Sequence, residues 1–230
     1  MPPITLHFLQ ASRSIRIAWL LELLNQPYTV KFADRLATMK APDDFKAGTG
    51  NPLGKAPSLQ DGELTVYESG AITEYLCDTY DESHNLLPSK GEGRVKVLQW
   101  IHAAEATFML HALAITYVRW NMPKSGNPTI LSETESGLSI NVQKDLEWLE
   151  TELVQSSGGF LCGKDVTAAD TMMQFSLEFI FKTELGTQGK GVDAWPNIRA
   201  WLGKCEGLDS YRKAVEKTGY KLGNKMPEGR

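Results

Sequence analysis

The chain has 230 residues, 42% hydrophobic and 23% charged, an ordinary globular composition that excludes disorder of the whole chain, since apolar material is ample to offset ordering entropy. With a net charge of −4 and no Lys/Arg stripe, a nucleic-acid partner is not expected. The longest apolar run, Ile15 to Leu24, is interrupted by Arg16 and Glu22, short of the ~20 residues that span a bilayer. Met1-Pro-Pro-Ile-Thr5 lacks the basic-then-apolar order of a signal peptide, so the expectation is a cytoplasmic protein with no membrane partner.

In chain order, Ile4 to Leu9 alternates as a strand does, and Ser12 and Ser14 precede a helix from Ile15 to Leu24 that a serine can cap. Tyr28 to Phe32 is a second strand. A short helix is expected around Asp43 to Ala47, then a turn-rich Asn51-Pro-Leu-Gly-Lys-Ala-Pro57 before a strand at Ser58 and Leu59. Asp61-Gly62 signals a hairpin into Leu64 to Tyr67, and Ser69 opens a helix to about Tyr80. Asp81 to Gly93 reads as an exposed linker. Afterwards every pattern is helical: Val95 to about Met122, a break from Asn121 to Pro128, then Ser132 to Val154, Thr167 to Leu185, a short helix from Trp195-Pro196, and Leu208 to Thr218. The architecture expected is a small α/β domain followed by an all-α domain.

Cys77, Cys162 and Cys205 are odd in number, form no C-x-x-C and sit in apolar or helical contexts, as reduced buried thiols do. His102 and His111 are nine apart and point different ways on a helix, so no metal site is expected.

Three strand-to-helix or loop-to-strand junctions carry chemistry. Ala56-Pro57 could adopt a cis bond, freeing the Ala56 backbone to pair with an extended ligand, or it could be an ordinary trans turn. At Tyr67-Glu68-Ser69-Gly70 the unpaired N–H groups of a helix start could bind a carboxylate beside Ser69 while Glu68 holds an ammonium; the alternative is a simple N-cap. In Gln10-Ala-Ser-Arg-Ser-Ile-Arg16 a hydroxyl at a helix N-terminus can donate to a sulfur anion, or merely cap the helix. Moving a thiol pKa from ~8.5 to ~6.5 raises the thiolate fraction at pH 7 from about 3% to roughly 75%, for about 2.7 kcal/mol of differential stabilisation.

With Ser12 to Leu21, Asn51 to Pro57, Glu68 to Ile72, Gly163 to Asp170 and Trp195 to Leu202 taken together, nearly the whole chain resembles the cytosolic glutathione transferases, and among them the fungal Gtt-type, serine-type branch. The resemblance implies a thioredoxin-like glutathione-binding domain over residues 1–82 and an all-helical domain over 93–230 that supplies the electrophile pocket. It implies that Ser12, four before Arg16, hydrogen-bonds the glutathione sulfur, with Ser14 as the fallback. Lys55 would meet the glycine carboxylate, and Lys40 could approach it. Ala56 would pair its backbone with the cysteinyl moiety beside a cis Pro57. Ala56 is smaller than the residue common there, but only its backbone is used. Glu68 and Ser69 would hold the γ-glutamyl amine and carboxylate. A small apolar electrophile would lie in the interdomain cleft, with Leu9, Phe108, His111, Ile115 and Tyr117 as the facing residues, although a core position is the better reading for each taken singly. Thr167 and Asp170 belong to a structural capping motif.

The resemblance also implies a homodimer, with the Glu68–Tyr80 and Val95 helices near its axis. The function expected is conjugation of the glutathione thiolate to an electrophilic carbon. Isomerisation, a secondary-metabolite tailoring step, or a ligandin-like carrier role without catalysis are the alternatives on the same scaffold. A disulfide oxidoreductase is disfavoured, because Ser12 stands where a cysteine would be needed.

Overall fold

The computed structural model describes residues 4–123, 128–156 and 159–223; the expected break after Asn121 lies partly outside them. Strand β1 (Ile4–Leu9) leads into α1 (Ser14–Leu23) and returns as β2 (Tyr28–Ala33), parallel to β1 with Ile4 opposite Tyr28. After the short α2 (Asp43–Gly48), β3 (Ser58–Asp61) and β4 (Leu64–Tyr67) form an antiparallel hairpin, and α3 (Ser69–Tyr80) closes the unit. The sheet order is β2-β1-β3-β4, with β3 antiparallel to β1.

This topology decides where a ligand can sit. The C-terminal ends of β1, β2 and β4 and the start of β3 all lie at one edge. The segments following Leu9, Ala33 and Tyr67, and the one preceding Ser58, therefore meet there, although they are spread over about sixty residues of chain. An open α/β sheet places ligands outside its strand ends for the same reason.

The second layer is helical: α4 (Gly91–Ala103), α5 (Leu110–Asn121), α6 (Pro128–Gln155), α7 (Ala168–Lys182), α8 (Pro196–Glu206) and α9 (Asp209–Thr218). Between α4 and α5 the rod is continuous but becomes a π-helix over Ala104–Met109. By length and composition the whole Gly91–Asn121 rod could cross a bilayer, a longer apolar stretch than sequence runs alone indicate. It is instead the central helix of this layer, packed on α6 and α7, with Trp100, Ile101, Phe108, Ala112 and Ile115 in the core.

Two other expectations change. The Asp81–Gly93 linker is not exposed throughout: Leu86 and Leu87 are buried, and Leu86 O accepts the Ala168 N–H at 3.0 Å. An apolar pair in a connection docks into the nearest core rather than staying in water. Helix α6 begins at Pro128, earlier than Ser132, because proline suits the first helical turn.

Asp170 shows how the helical layer is fixed. It is fully buried, and its carboxylate accepts Leu161 N–H (2.9 Å), Thr167 N–H (2.8 Å), Thr167 Oγ1–H (2.9 Å) and Trp201 Nε1–H (2.9 Å), joining the start of α7 to α8 and the preceding loop. Burial pushes its carboxyl above the usual range while those donors pull it back. Asp170→Ala strands several buried donors at once, and we expect a stability loss of about 3–5 kcal/mol, read from urea unfolding. Asp170→Asn, which keeps one acceptor oxygen, is expected to lose less.

Candidate active site

Ser12 lies just before α1, with its Oγ donating to Leu9 O at 2.7 Å or Ser14 Oγ at 2.9 Å and accepting the Ser14 N–H at 3.2 Å. The two serines are not equivalent. Ser14 is wholly enclosed behind the loop, where its Oγ lies 3.4 Å from Leu9 N. Ser12, 7% exposed, stands in the wall of a cavity of about 430 Å³ between the two layers.

That cavity brings together Leu9, Ser12, Lys40, Lys55, Ala56 and Tyr117. Lys40 and Lys55 are exposed at the cavity wall. The turn before β3 is built by Asn51: its Oδ1 accepts Leu53 N–H (2.8 Å) and its carbonyl accepts Gly54 N–H (2.8 Å). Gly54 is required at φ 59°, because a Cβ there would lie 2.7 Å from the Lys46 Cβ. The turn delivers Lys55 and Ala56 to the cavity, ahead of a cis Ala56-Pro57 bond. Among the described residues the Ala56 N–H and C=O take no hydrogen-bond partner.

Pro57, Glu68 and Ser69 are not in the cavity wall. They adjoin it at the sheet edge, since Ser58 pairs with Tyr67. Glu68 is exposed at φ 74°, a conformation that costs a non-glycine residue about 1–3 kcal/mol and tends to be kept where a site needs it. Ser69 is the first residue of α3, and its Oγ accepts from Arg16 Nη1 at 3.1 Å.

Phe108, His111 and Ile115 do not line the cavity. Phe108 packs against Trp100 and Trp148, His111 Nδ1 lies 2.6 Å from Asp145 Oδ2, and Ile115 is in the core. Met109, Leu113, Tyr117 and Trp120 line the cavity instead, at steps of four, four and three along the rod from the end of the π-helical turn. Phe175 and Phe179 of α7 complete this apolar side.

Sequence reading missed the cations beneath the site. Arg16 is completely buried, donating from Nη1 to Glu105 and Ser69 and from Nη2 to Ser176 Oγ at 2.7 Å, while Arg13 Nε meets the same Glu105 oxygen at 2.6 Å. Burial pushes Arg16 down to about 10, with Glu105 opposing, so it stays charged at neutral pH. Burial raises the Glu105 carboxyl, but Arg16 and Arg13 outweigh it and hold it below the ordinary range. Arg35 also stands in the cavity wall. Burial disfavours the thiolate at all three cysteines, raising Cys77 to about 12, Cys162 to about 11 and Cys205 well above its usual value.

A β-α-β, β-β-α sheet unit with a serine just before its first helix and a helical layer behind it is a two-layer protein built on a thioredoxin-like unit. Residues 1–78 match the "Glutathione S-transferase, N-terminal domain" family and residues 138–209 the "Glutathione S-transferase, C-terminal domain" family. The chain is 30% identical to glutathione S-transferase 3 of Schizosaccharomyces pombe, over 93% of this chain and 87% of the relative. A crystal structure of a glutathione S-transferase from Actinobacillus pleuropneumoniae superposes with a TM-score of 0.78 at 32% identity, covering 96% and 95% of the two chains. A glutathione transferase homologue from Lodderomyces elongisporus, solved with two GSH per subunit, shares the fold at a TM-score of 0.74 and 21% identity, covering 94% and 99%. The chain belongs to the glutathione S-transferase family, and its enzyme class is that of a glutathione transferase.

The Arg16–Glu105 contact has a testable pH signature. A carboxylate held below its unfolded value stabilises the fold above the unfolded pKa, and that contribution is lost as pH falls toward the folded value. Glu105→Gln is expected to cost about 1–2 kcal/mol at pH 7, less than a fully enclosed pair because the Glu105 side chain is 37% exposed and screened. The gap from wild type should narrow as pH falls below about 4.3, as followed by thermal unfolding at pH 7 and pH 4.

Proposed function

We propose that Ser12 stabilises the thiolate of bound glutathione, in the manner of the serine-type, Gtt-like branch, and that the thiolate attacks the electrophilic carbon of a small apolar substrate. The observation that carries this reading is that Ser12 lines the cavity just before α1 while Ser14 is enclosed behind it. A hydroxyl proton now directed at Leu9 O need only rotate to donate to sulfur, and the helix start adds positive potential.

The reading assigns the cationic end of the cavity to the glycine carboxylate, met by Lys55 and approached by Lys40. The free Ala56 N–H and C=O pair with the cysteinyl backbone beside Pro57. Glu68 and Ser69, at the neighbouring sheet edge, take the γ-glutamyl amine and carboxylate; Arg16 already orients Ser69. The electrophile lies against Leu9, Met109, Leu113, Tyr117, Phe175 and Phe179, a surface that binds by apolar burial and contributes proximity rather than acid–base chemistry.

We divide the chain accordingly, with residues 1–82 carrying the glutathione subsite and 93–230 the electrophile side. The reading includes a homodimer through α3 and α4, and the exposed Val95 of α4 supports a contact there. The cytoplasm, where three unpaired cysteines stay reduced, is the compartment that fits.

Calorimetry and ultraviolet titration of bound glutathione test the assignment. In the wild type the bound thiol should titrate well below ~8.5. Ser12→Ala should raise that value, leave affinity nearly intact and lower kcat about 10²-fold toward an aromatic halide, whereas Ser14→Ala should keep the thiolate. Failure of the wild type to bind glutathione at millimolar concentration would favour the carrier role.

A further inference from the structure

The peptide that delivers Ser12 is held in a conformation it would not adopt unaided. Ala11 has φ 51°, the left-handed region, where a side-chain Cβ crowds the following carbonyl. Released, this residue would return to negative φ and swing Ser12 off the cavity wall.

Each backbone polar group of Gln10 and Ala11 has a partner, as a constrained turn requires. Gln10 N–H donates to Ala33 O at 2.9 Å. Gln10 O accepts Arg35 Nε at 2.9 Å, and Ala11 O accepts Arg35 Nη2 at 3.1 Å. Ala11 N–H donates to the Gln10 side-chain Oε1 at 3.1 Å. The same Oε1 accepts Lys221 N–H at 2.9 Å, and Gln10 Nε2 donates to Gly219 O at 2.9 Å. That far segment is itself anchored: Tyr220 is buried, its hydroxyl donates to Glu178 at 3.0 Å, and its ring packs edge-on against Phe8.

We propose that Arg35 is a positioning residue for the Ser12 hydroxyl, fixing the Gln10–Ala11 turn from one side while the Gln10 side chain fixes it from the other against the Gly219–Lys221 segment. The proposal rests on the assignment of Ser12 as the thiolate-stabilising group. Arg35 also donates from Nη1 to Met39 O at 2.8 Å, so one guanidinium spans the Ser12 turn and the loop that carries Lys40. Only a planar fork of five donors reaches three carbonyls in this way; a lysine at this position keeps the charge at the cavity and loses the fork. The charged groups sharing that wall are Arg13, Lys40, Lys46 and Lys55.

The test is the ultraviolet titration of the bound thiol, at saturating glutathione, in wild type, Ser12→Ala, Arg35→Lys, Gln10→Ala and the Ser12→Ala/Arg35→Lys double variant. Arg35→Lys should raise the bound thiol pKa by about one unit, a tenfold loss of thiolate well below that pKa, with turnover recovering as pH rises. Gln10→Ala should shift it in the same direction by less. The double variant should titrate like Ser12→Ala alone, since a residue acting through Ser12 has nothing left to position. A wild-type thiol pKa in Arg35→Lys, or additive shifts in the double variant, overturns the proposal. Should Arg35→Lys fail to fold by circular dichroism, Gln10→Ala decides: an unshifted thiol overturns the proposal, a raised one supports it. A thiol unmoved by Ser12→Ala itself brings down the Ser12 assignment and this proposal together, whereas a shift there with none in Arg35→Lys and Gln10→Ala brings down the proposal alone.

Discussion

One guanidinium with no access to water sets the geometry of this protein. Arg16 lies in α1, yet its hydrogen bonds go to the first residue of α3, to the π-helical turn and to α7, and its plane lies over the Phe175 ring. A buried charge is costly unless its partners hold their places, so the two layers can sit together only where Glu105, Ser69 and Ser176 converge on it. The starts of α1 and α3, the two helix ends at the ligand edge of the sheet, are thereby referred to one charge. Its positive potential adds to both helix N-termini, which favours an anionic ligand at that edge.

The cavity divides chemically along the same seam. Its sheet side presents lysines, backbone groups and Ser12, and its helical side presents methionine, leucine and aromatic rings. The π-helical turn belongs to both arrangements, since it holds Glu105 against Arg16 and ends in Met109 at the cavity wall.

Much of the fold was legible because its signals are local. Alternation in Ile4–Leu9, Asp61-Gly62 at the hairpin, Pro196 at the start of α8 and the Thr167–Asp170 capping box each act over a few residues, and each appears where expected. Ser12, Lys55 and Ala56, short motifs at element ends, do lie together in one cavity wall. Phe108, His111 and Ile115 were named for the cleft from the resemblance, while a core position suited each better from its own residue type, and the core is where Phe108 and Ile115 lie. Arg13, Arg16, Arg35 and Glu105 could not be found this way. Their roles depend on partners up to 160 residues distant in the chain, and an arginine among apolar residues looks alike whether it faces solvent or a carboxylate on another helix.

The packing of α1 has a consequence for how the chain matures. Its residues Ser14 to Leu21 are buried on all sides, because α9 covers the face that the sheet and α3 leave open. Trp19 donates to Ser210 Oγ at 3.0 Å and meets the Tyr211 ring at 5.2 Å. During synthesis Trp19 emerges 191 residues ahead of Ser210. Until α9 is released from the ribosome, the nascent amino-terminal unit carries an uncovered Trp-and-Leu surface, a state open to aggregation and to capture by chaperones. The two layers are thus distinct in architecture but interdependent in assembly, and native packing of the first helix waits on the last.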